Sequence, residues 1–359
     1  MQNFKEVKMN NLGTKFEFGK NKNGEAVYKY VIGNGKDMKV TFTDLGAAVT
    51  SILLSDKNGK EYEVALSYDS PLLYEKETTY FGAVVAPYAN RIEDGKFEID
   101  GVTYELDINN GPNNLHSGCN GLAKKIWQVE EHTEDKIVFA FHVNDMEFGF
   151  PGNVDYKVTY EVTANNELTI SYLATPDKKT AINITNHTYF NLNGATSGNI
   201  EKHTLWIKAN AFTPVRDANA IPTGEDMPVE GTPFDFREAK EVGRDIKDEF
   251  EQLILGQGYD HNFVLAKETD GVEKIATVCG DVSGIEMDVW TDCIGVQLYT
   301  GNFLNGDLGP NGHRYERRAG LCLETQYFPN SINEPNFVTP VTDAGCEYRS
   351  KTIYAFRME

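Results

Sequence analysis

Apolar and polar side chains alternate along residues 153–176, and this period restricts the fold more than any other feature of the sequence. The apolar positions of its first half are Val154, Tyr156, Val158, Tyr160 and Val162. After the turn residues "ANNE", the alternation resumes at Leu168, Ile170 and Tyr172. A period of two is typical of a strand with one buried face and one solvent-exposed face. Two such runs around a turn predict a β-hairpin.

The same period recurs elsewhere in the chain. It is present in "KIVFAFHV" (residues 136–143), "IEMDVW" (285–290) and "IGVQLYT" (294–300), whereas a helical pattern is limited to short pieces such as residues 235–246. Many short strands, without a regular succession of strands and helices, indicate antiparallel sheets packed face to face. We therefore predict an all-β fold, a large antiparallel β-sandwich with few short helices.

Length and loop composition predict one domain. A chain of 359 residues is long enough for two domains, but all-β sandwiches often reach this size as one unit. Residues 213–236 resemble a linker in composition, yet their scattered Phe and Val residues indicate that the segment packs on the rest of the protein. We predict a single domain over residues 1–359.

The charge balance argues against several classes of partner. With 34 Lys and Arg against 54 Asp and Glu, the net charge is −20. Such a field repels nucleic-acid backbones and anionic lipid surfaces and mildly disfavours phosphorylated substrates. No apolar run approaches the ~18 residues of a membrane span. Nucleic acid and membranes are therefore not expected as partners.

Cysteine spacing and the first residues bear on the cellular compartment. The five cysteines lie far apart and none forms a C-x-x-C pair, which argues against a disulfide framework or a structural zinc site. Residues 1–18 lack the apolar core of a secretory signal. We expect a cytoplasmic protein, and a leader removed upstream of Met1 stays compatible with the sequence.

A compact polar face in "INITNHTYFNL", residues 182–192, indicates a site. If the segment is a strand, its even positions are mostly apolar, and its odd positions are Asn183, Thr185, His187, Tyr189 and Asn191. Unlike the exposed face of the hairpin, this face carries no Asp, Glu, Lys or Arg. Compact hydrogen-bonding groups suit a concave surface that binds the hydroxyls of a sugar. The alternative is a histidine with a purely structural role inside a sheet.

Two further segments carry groups suited to acid and base chemistry. "NNGPNNLHSGCNG" reads as a loop because of its Gly, Pro and Asn content, and His116 lies near its end, where simple exposure is the alternative. In "GLCLETQYFPNSINEP", Glu324 shares one strand face with Cys322 and Gln326, just before a proline-interrupted segment. A surface carboxylate on an edge strand is the alternative for Glu324.

Shorter segments add four candidates: Asn90, Arg91, Asp260 and Gln297. Each has an alternative as a turn residue or a surface charge. The glycine-rich loops that bind nucleotides, the H-E-x-x-H pair of zinc proteases and the G-x-S-x-G turn of serine hydrolases do not occur. We therefore expect chemistry without a cofactor and without a metal.

In this order, the segments "NRI", "NNLHSG", "NHTYFNL", "GYDHNF" and "LETQYFPNSINEP" resemble the aldose 1-epimerase family, the galactose mutarotases. The resemblance extends from about residue 12 to near the end of the sequence. It implies a single antiparallel β-sandwich that binds a sugar in an open cleft. It also implies interconversion of the α and β anomers of a free aldose by ring opening, rotation about C1–C2 and reclosure.

The resemblance implies a role for each candidate. Glu324 would be the general base that accepts the proton of the C1 hydroxyl, His187 the general acid that protonates the ring oxygen, and His116 an assisting group beside that oxygen. The residues implied to bind sugar hydroxyls are Asn90, Arg91, Asp260, Gln297 and Tyr189. The expected partner is a small-molecule aldose, and the protein is expected to be a monomer or a homodimer.

Hemiacetal opening itself requires a base and an acid at neighbouring oxygens. The ordinary pKa values of about 4.3 for Glu and about 6.5 for His make a carboxylate and an imidazolium available together near neutral pH. A carboxylate close to the imidazole should raise the pKa of the histidine further. No covalent intermediate is needed.

Three alternatives are open. A hexose-6-phosphate 1-epimerase would use the same fold and pair but should add basic residues, and the only dense basic segment near a motif is "HRYERRAG", residues 313–320. A silent sugar-binding protein would be expected to lack His187 or Glu324. A glycosidase needs two carboxylates, and a second acidic motif is missing from the sequence.

Overall fold

The protein is described by a computed structural model over residues 11–358. The prediction about a secretory signal rests on residues 1–18, of which residues 1–10 lie outside the described part. Three sheets contain most of the strands, and their pairings are antiparallel.

The largest sheet has nine strands, which in spatial order are Gln128–His132, Lys136–Val143, Val154–Val162, Glu167–Pro176, Tyr348–Arg357, Glu286–Thr291, Glu273–Cys279, Thr204–Ile207 and Lys240–Glu241. A five-stranded sheet, here the N-terminal sheet, consists of Lys15–Lys20, Ala26–Gly33, Met38–Thr43, Ala48–Ser55 and Glu61–Glu63. A second five-stranded sheet, here the Glu324 sheet, has the order Met227–Pro228, Ala209–Phe212, Asp260–Leu265, Gly295–Tyr299 and Cys322–Gln326.

The remaining strands form short pairs: Val84–Val85 with Thr185–Asn186, Arg91–Ile92 with Asn114–Leu115, Lys96–Ile99 with Val102–Glu105, Thr180–Ala181 with Val341–Thr342, and Asp307–Leu308 with Arg314–Tyr315. These pairs belong to the connections between the sheets. Two of them carry residues that the sequence indicated for the site, namely Arg91 and Thr185.

One face of the nine-stranded sheet packs against both five-stranded sheets. Phe42 of the N-terminal sheet contacts Tyr160, with ring centroids 4.4 Å apart. The Tyr354 hydroxyl donates a hydrogen bond to the Leu323 carbonyl of the Glu324 sheet at 3.1 Å. Tyr160 and Tyr354 project from the same face, because their partners on the strand between them are two residues apart. The predicted antiparallel β-sandwich is confirmed.

The hairpin predicted for residues 153–176 is also confirmed. Val154–Val162 pairs with Glu167–Pro176 from Val154 opposite Pro176 to Val162 opposite Leu168. Its alternate apolar side chains are buried on the face toward the other sheets. Burial of each such side chain contributes ~1.5–3 kcal/mol, which explains why the register follows the alternation.

The last strand of the described chain lies inside the nine-stranded sheet. Tyr348–Arg357 pairs with Glu167–Pro176 on one side and with Glu286–Thr291 on the other. Its inward residues, including Tyr354 and Phe356, belong to the largest apolar cluster. This strand therefore joins two parts of the sheet that are distant in the chain.

The helical interpretation of residues 235–246 is wrong. The segment contains the short strand Lys240–Glu241 and otherwise turns and bends. Its course is set by a buried ammonium, because Lys240 Nζ donates to the Pro233 carbonyl at 2.5 Å and to Asp245 Oδ2 at 2.7 Å.

The α-helices of the described residues are Pro71–Lys76 and Glu251–Gly256, and the 3₁₀ turns are Glu93–Gly95, Leu122–Lys124 and Pro310–Gly312. None of the helices in residues 11–358 combines the length and the apolar composition that crossing a membrane requires. Few short helices were predicted, and few short helices are present.

Residues 182–192 do not form the continuous strand that was predicted. Only Thr185–Asn186 is in a strand, and both of its faces are buried. The backbone around it changes partner repeatedly: the His187 amide donates to the Ala83 carbonyl, and Phe190 exchanges hydrogen bonds with Leu321. The two-residue period therefore does not describe this segment beyond Thr185–Asn186.

Candidate active site

An open cleft of about 320 Å³ lies above the Glu324 sheet. Its wall comes from residues 77–80, the turns around residues 90 and 116, residues 187–189, and the strands of the Glu324 sheet. Of the eight predicted site residues, the structure brings seven to the wall of this cleft: Asn90, Arg91, His116, His187, Tyr189, Asp260 and Glu324. Gln297 does not line it.

Glu324 projects into the cleft from the middle of the strand Cys322–Gln326. The residue is 2% exposed, so its interpretation as a surface carboxylate is wrong. Its Oε1 lies 3.7 Å from His187 Nε2, and its buried Oε2 has no hydrogen-bond partner among the described residues. Burial raises the pKa of Glu324 well above its usual range; the charge of Asp260 adds to the shift and that of Arg91 opposes it.

His187 is held by rings and by a sulfur atom. Its ring is stacked between Tyr80 and Tyr189, with centroids 5.9 Å and 5.1 Å away. Cys322 Sγ lies 3.6 Å from its Nδ1, so Nε2 is the nitrogen that faces Glu324. Burial lowers the pKa of His187 to about 4, although its own backbone carbonyl and the charge of Asp260 oppose the shift. The predicted rise of the histidine pKa is therefore wrong, because desolvation outweighs the charge of Asp260.

His116 lies in a loop but is buried rather than exposed. Its Nδ1 accepts a hydrogen bond from the Asn90 amide at 3.1 Å, which assigns the ring proton to Nε2. The ring centroid is 5.3 Å from that of His187 and 4.8 Å from that of Tyr80. Burial lowers the pKa of His116 well below its usual range, and the charges of His187 and Arg91 act in the same direction. His116 is therefore a neutral imidazole that presents its Nε2–H to the cleft.

Arg91 and Asp260 form a polar corner of the cleft. Arg91 Nη2 lies 3.7 Å from Asp260 Oδ2, and Arg91 Nε donates to Asn110 Oδ1 at 3.1 Å. Gln297 Nε2 donates to Asp260 Oδ1 at 2.8 Å. The structure thus places Gln297 behind Asp260, outside the wall of the cleft, where it orients this carboxylate. Its contact with a sugar hydroxyl stays a prediction.

The compact polar face of residues 182–192 divides between two tasks. His187 and Tyr189 line the cleft. Asn183 and Asn191 instead donate to backbone carbonyls, Asn183 to Ala89 at 3.3 Å and Asn191 to Ala319 at 2.8 Å. These amides satisfy buried backbone groups of neighbouring turns, so only part of the predicted polar face belongs to the site.

Sequence reasoning missed several residues of the site. Tyr80 and Tyr299 form aromatic walls beside His187, and no local pattern around either residue indicated this. Cys322 had a signal, because it shares the strand face of Glu324 at a spacing of two residues. Asn110 lies in the same loop as His116, and its contact with Arg91 depends on how the turns meet.

The three groups with acid and base chemistry also form a possible ligand set for a metal ion. His116, His187 and Glu324 each offer one donor atom, and these atoms lie within 4.8 Å of one another. Two imidazoles and a carboxylate suit zinc and other transition metals. A metal bound there would occupy the acid and the base at once.

Comparison with known proteins is consistent with this geometry. The family model described as aldose 1-epimerase matches residues 28–355. The galactose mutarotase of Mus musculus is 40% identical over 335 residues, which cover 93% of this chain and 95% of that protein. The aldose 1-epimerase of Escherichia coli K12 is 35% identical over 338 residues, 94% of this chain and 97% of that protein.

Solved structures agree. The crystal structure of an aldose epimerase homologue from C. elegans has a TM-score of 0.85 and 31% sequence identity and covers 91% of this chain and 98% of that chain. On the extent and identity of these matches, the chain belongs to the aldose 1-epimerase family.

Proposed function

We propose that the protein is an aldose 1-epimerase that interconverts the α and β anomers of free hexoses such as galactose and glucose. The observation that carries the proposal is the facing pair of Glu324 and His187, 3.7 Å apart, in a cleft of sugar size. The unpartnered Glu324 Oε2 offers an acceptor that a hydroxyl of the substrate satisfies. Family membership supports the same reaction.

The reaction needs two coupled proton transfers. Glu324 takes the proton of the C1 hydroxyl while the bond between C1 and the ring oxygen breaks. His187 Nε2–H gives its proton to that ring oxygen, which becomes the C5 hydroxyl. The open-chain aldehyde rotates about C1–C2, and the same steps in reverse close the ring on the other face. Both groups then regain their starting protonation.

The other residues of the cleft bind and orient the sugar in this proposal. His116 presents its Nε2–H beside the ring oxygen, because Nδ1 accepts from the Asn90 amide. Arg91 donates to sugar hydroxyls and Asp260 accepts from them. Tyr189 packs against His187 and holds its ring in place.

The glycosidase alternative lacked a second acidic motif in the sequence, and the structure does bring a second carboxylate, Asp260, to the cleft. Its two oxygens are already engaged, since Oδ1 accepts from Gln297 and Oδ2 faces Arg91. A carboxylate held in this way suits hydroxyl binding better than proton donation to a leaving group. The epimerase reaction remains the proposal.

Polarimetry tests the proposal directly. Freshly dissolved α-D-galactose and α-D-glucose should reach their equilibrium rotation faster with the protein than without it, and the final rotation should not change. Buffer alone and heat-denatured protein supply the uncatalysed rate. A folded protein that binds these sugars but leaves the rate at its uncatalysed value would indicate the silent binding protein instead.

We expect phosphorylated hexoses to be poor substrates. Among residues 11–358, four carboxylates line the cleft, those of Glu77, Asp260, Asp307 and Glu324, against the single guanidinium of Arg91. Within the basic segment, Arg318 is buried and paired with Glu201 at 2.7 Å, so it is not available to a phosphate. The measurement is kcat/KM for glucose-6-phosphate beside galactose. An equal or higher value for the phosphate ester would favour the hexose-6-phosphate epimerase.

The dependence of kcat/KM on pH should be bell-shaped, with limbs set by the shifted pKa values. The reactive form of the pair has Glu324 ionised and His187 protonated, so the pair holds one proton in total. The shifted pKa values place this proton mainly on Glu324 in the free protein, and it must lie on His187 when the sugar reacts. In acid, activity should fall as a second proton binds, with a pKa near the value of about 4 for His187. In alkali, activity should fall as the last proton leaves at the raised pKa of Glu324. Buffer catalysis is subtracted at each pH.

One pH profile would contradict this expectation. An alkaline limb at the ordinary histidine pKa of about 6.5 would mean that the pair titrates as an exposed carboxylate and imidazole. The pKa shifts described for the cleft would then not govern catalysis.

Metal removal should leave the activity unchanged. The proposed acid and base are both side chains, so exhaustive dialysis against EDTA should not alter kcat. Added Zn²⁺ should inhibit, because His116, His187 and Glu324 offer it three donors, whereas Mg²⁺, which prefers oxygen ligands, should not. Loss of activity in EDTA with recovery on adding a metal would contradict the mechanism.

We also propose a domain organisation, a binding partner and an oligomeric state. A single domain is supported by the largest apolar cluster, which takes residues from all three sheets, such as Phe42, Tyr160 and Leu323. The partner is a small-molecule aldose. A monomer or homodimer in the cytoplasm is the expected state.

A further inference from the structure

A second cavity of about 530 Å³ lies outside the cleft, beside the N-terminal sheet. The residues of its wall that matter here are Phe18, Lys29, Tyr62, Glu63, Asp69 and Tyr315. None of them lines the cleft. The volume is within the ~300–1,000 Å³ typical of small-molecule sites.

Lys29 is half-buried and brings an ammonium group to this cavity. Its Nζ lies over the Phe18 ring, 4.1 Å from the centroid, and within residues 11–358 it makes no hydrogen bond or ion pair. Burial lowers the pKa of Lys29 to about 8, against the charges of Glu63 and Asp69. A cation–π contact compensates only part of the lost hydration of an ammonium. An acceptor on a ligand would supply the rest.

Glu63 brings a hydrogen-bond acceptor, its carboxylate, to the wall of the same cavity. Its Oε1 accepts hydrogen bonds from the amides of Ile52 at 2.8 Å and Ala65 at 3.2 Å, and its Oε2 interacts with the Ser51 hydroxyl. These contacts hold the carboxylate in place without an ion pair to Lys29. The exposed carboxylate of Asp69 lies on the same wall.

Such a wall selects hydroxyl groups over full charges. A hydroxyl accepts from an ammonium and donates to a carboxylate at the same time. An anion would meet the carboxylates of Glu61, Glu63 and Asp69, and a cation would meet Lys29 and Lys60. The rings of Phe18, Tyr62 and Tyr315 add apolar surface for the C–H faces of a sugar.

An aromatic wall separates this cavity from the cleft. The Tyr68 side chain lines the second cavity, and its hydroxyl hydrogen-bonds Thr79 Oγ1, a residue of the cleft, at 2.6 Å. Phe81 fills the space between, with its ring centroid 4.8 Å from Tyr189 and 5.6 Å from Tyr315. Occupation of one cavity therefore does not require occupation of the other.

We propose that the second cavity binds a neutral, hydroxyl-rich ligand of monosaccharide size, a sugar or a polyol. Lys29 donates to a hydroxyl of this ligand, Glu63 or Asp69 accepts from a neighbouring one, and the aromatic rings contact its carbon skeleton. This site does not depend on the function proposed for the cleft.

Methyl resonances distinguish the two cavities in a single titration. The probe is methyl β-D-galactopyranoside, which cannot open its ring, added to protein labelled at the methyl groups of Ala and Leu. Ala195 lines the second cavity and Leu115 lines the cleft. The methyl resonance of Ala195 should shift with ligand concentration along a saturable curve that differs from that of Leu115. A shift of Leu115 reports separately on the cleft, so failure of one site is not confused with failure of the other.

Two variants and a control complete the test. Lys29→Met should abolish the shift of the Ala195 methyl resonance and leave the Leu115 titration curve and kcat unchanged. The control Lys57→Met, at an exposed lysine, should change none of these three quantities. If Lys29→Met does not fold, Thr196→Trp at the exposed rim should close the cavity with the same result. An unmoved Ala195 in the wild-type protein, an equal shift in Lys29→Met, or a shift with inorganic phosphate but not with the glycoside would overturn the proposal.

Discussion

Glu324→Gln is expected to lower kcat by at least ~10² and to change sugar binding little, because the amide keeps the shape of the side chain but cannot accept a proton in the transition state. The residue is almost wholly buried, and Gln introduces no larger group. The melting temperature should therefore not fall. The measurements are kcat by polarimetry, the dissociation constant for galactose and thermal unfolding.

A matched control isolates the position of the carboxylate. Glu225 is exposed and does not line the cleft, so Glu225→Gln should retain the wild-type kcat. If Glu324→Gln retained near-normal kcat as well, Glu324 would have a structural role only. Asp260 would then be the next candidate for the base, and Asp260→Asn would be the variant to measure.

His187→Asn is expected to lower kcat by ~10²–10⁴, because the proton donor to the ring oxygen is lost. The smaller side chain also loses stacking against Tyr80 and Tyr189, so thermal unfolding is measured in parallel. His142, an exposed histidine of the nine-stranded sheet, provides the control His142→Asn, which should keep full activity.

The double variant tests whether the two groups act together. If Glu324 and His187 serve one concerted transfer, Glu324→Gln combined with His187→Asn should lose less than the product of the two single effects. Losses that multiply would mean that the groups act in independent steps. The proposed coupling across 3.7 Å would then be wrong.

The sequence was most informative where one physical rule acts alone. Alternation predicted the hairpin of Val154–Val162 and Glu167–Pro176, because burial of one face sets strand register. It also placed Glu324 on the strand face opposite the core-facing Leu323. The rule failed for residues 182–192, where every side is buried and the backbone bonds to several distant segments.

Other features depend on contacts that no local pattern encodes. Residues 235–246 do not form the predicted helix, because the buried ammonium of Lys240 bonds to Pro233 and Asp245. The pKa of His187 is lowered because the fold removes water from its ring, an effect that spacing in the sequence does not report. Gln297 was predicted to bind the sugar, and only the structure shows that it donates a hydrogen bond to Asp260.

The interior position of the strand Tyr348–Arg357 has a consequence for the growing chain. During synthesis, Glu167–Pro176 and Glu286–Thr291 each leave the ribosome with one pairing edge open, since their shared partner comes later in the chain. Open strand edges are sites of mispairing and aggregation. A nascent chain therefore exposes these two edges until Tyr348–Arg357 has been made, and we expect chaperone binding to matter most in that interval.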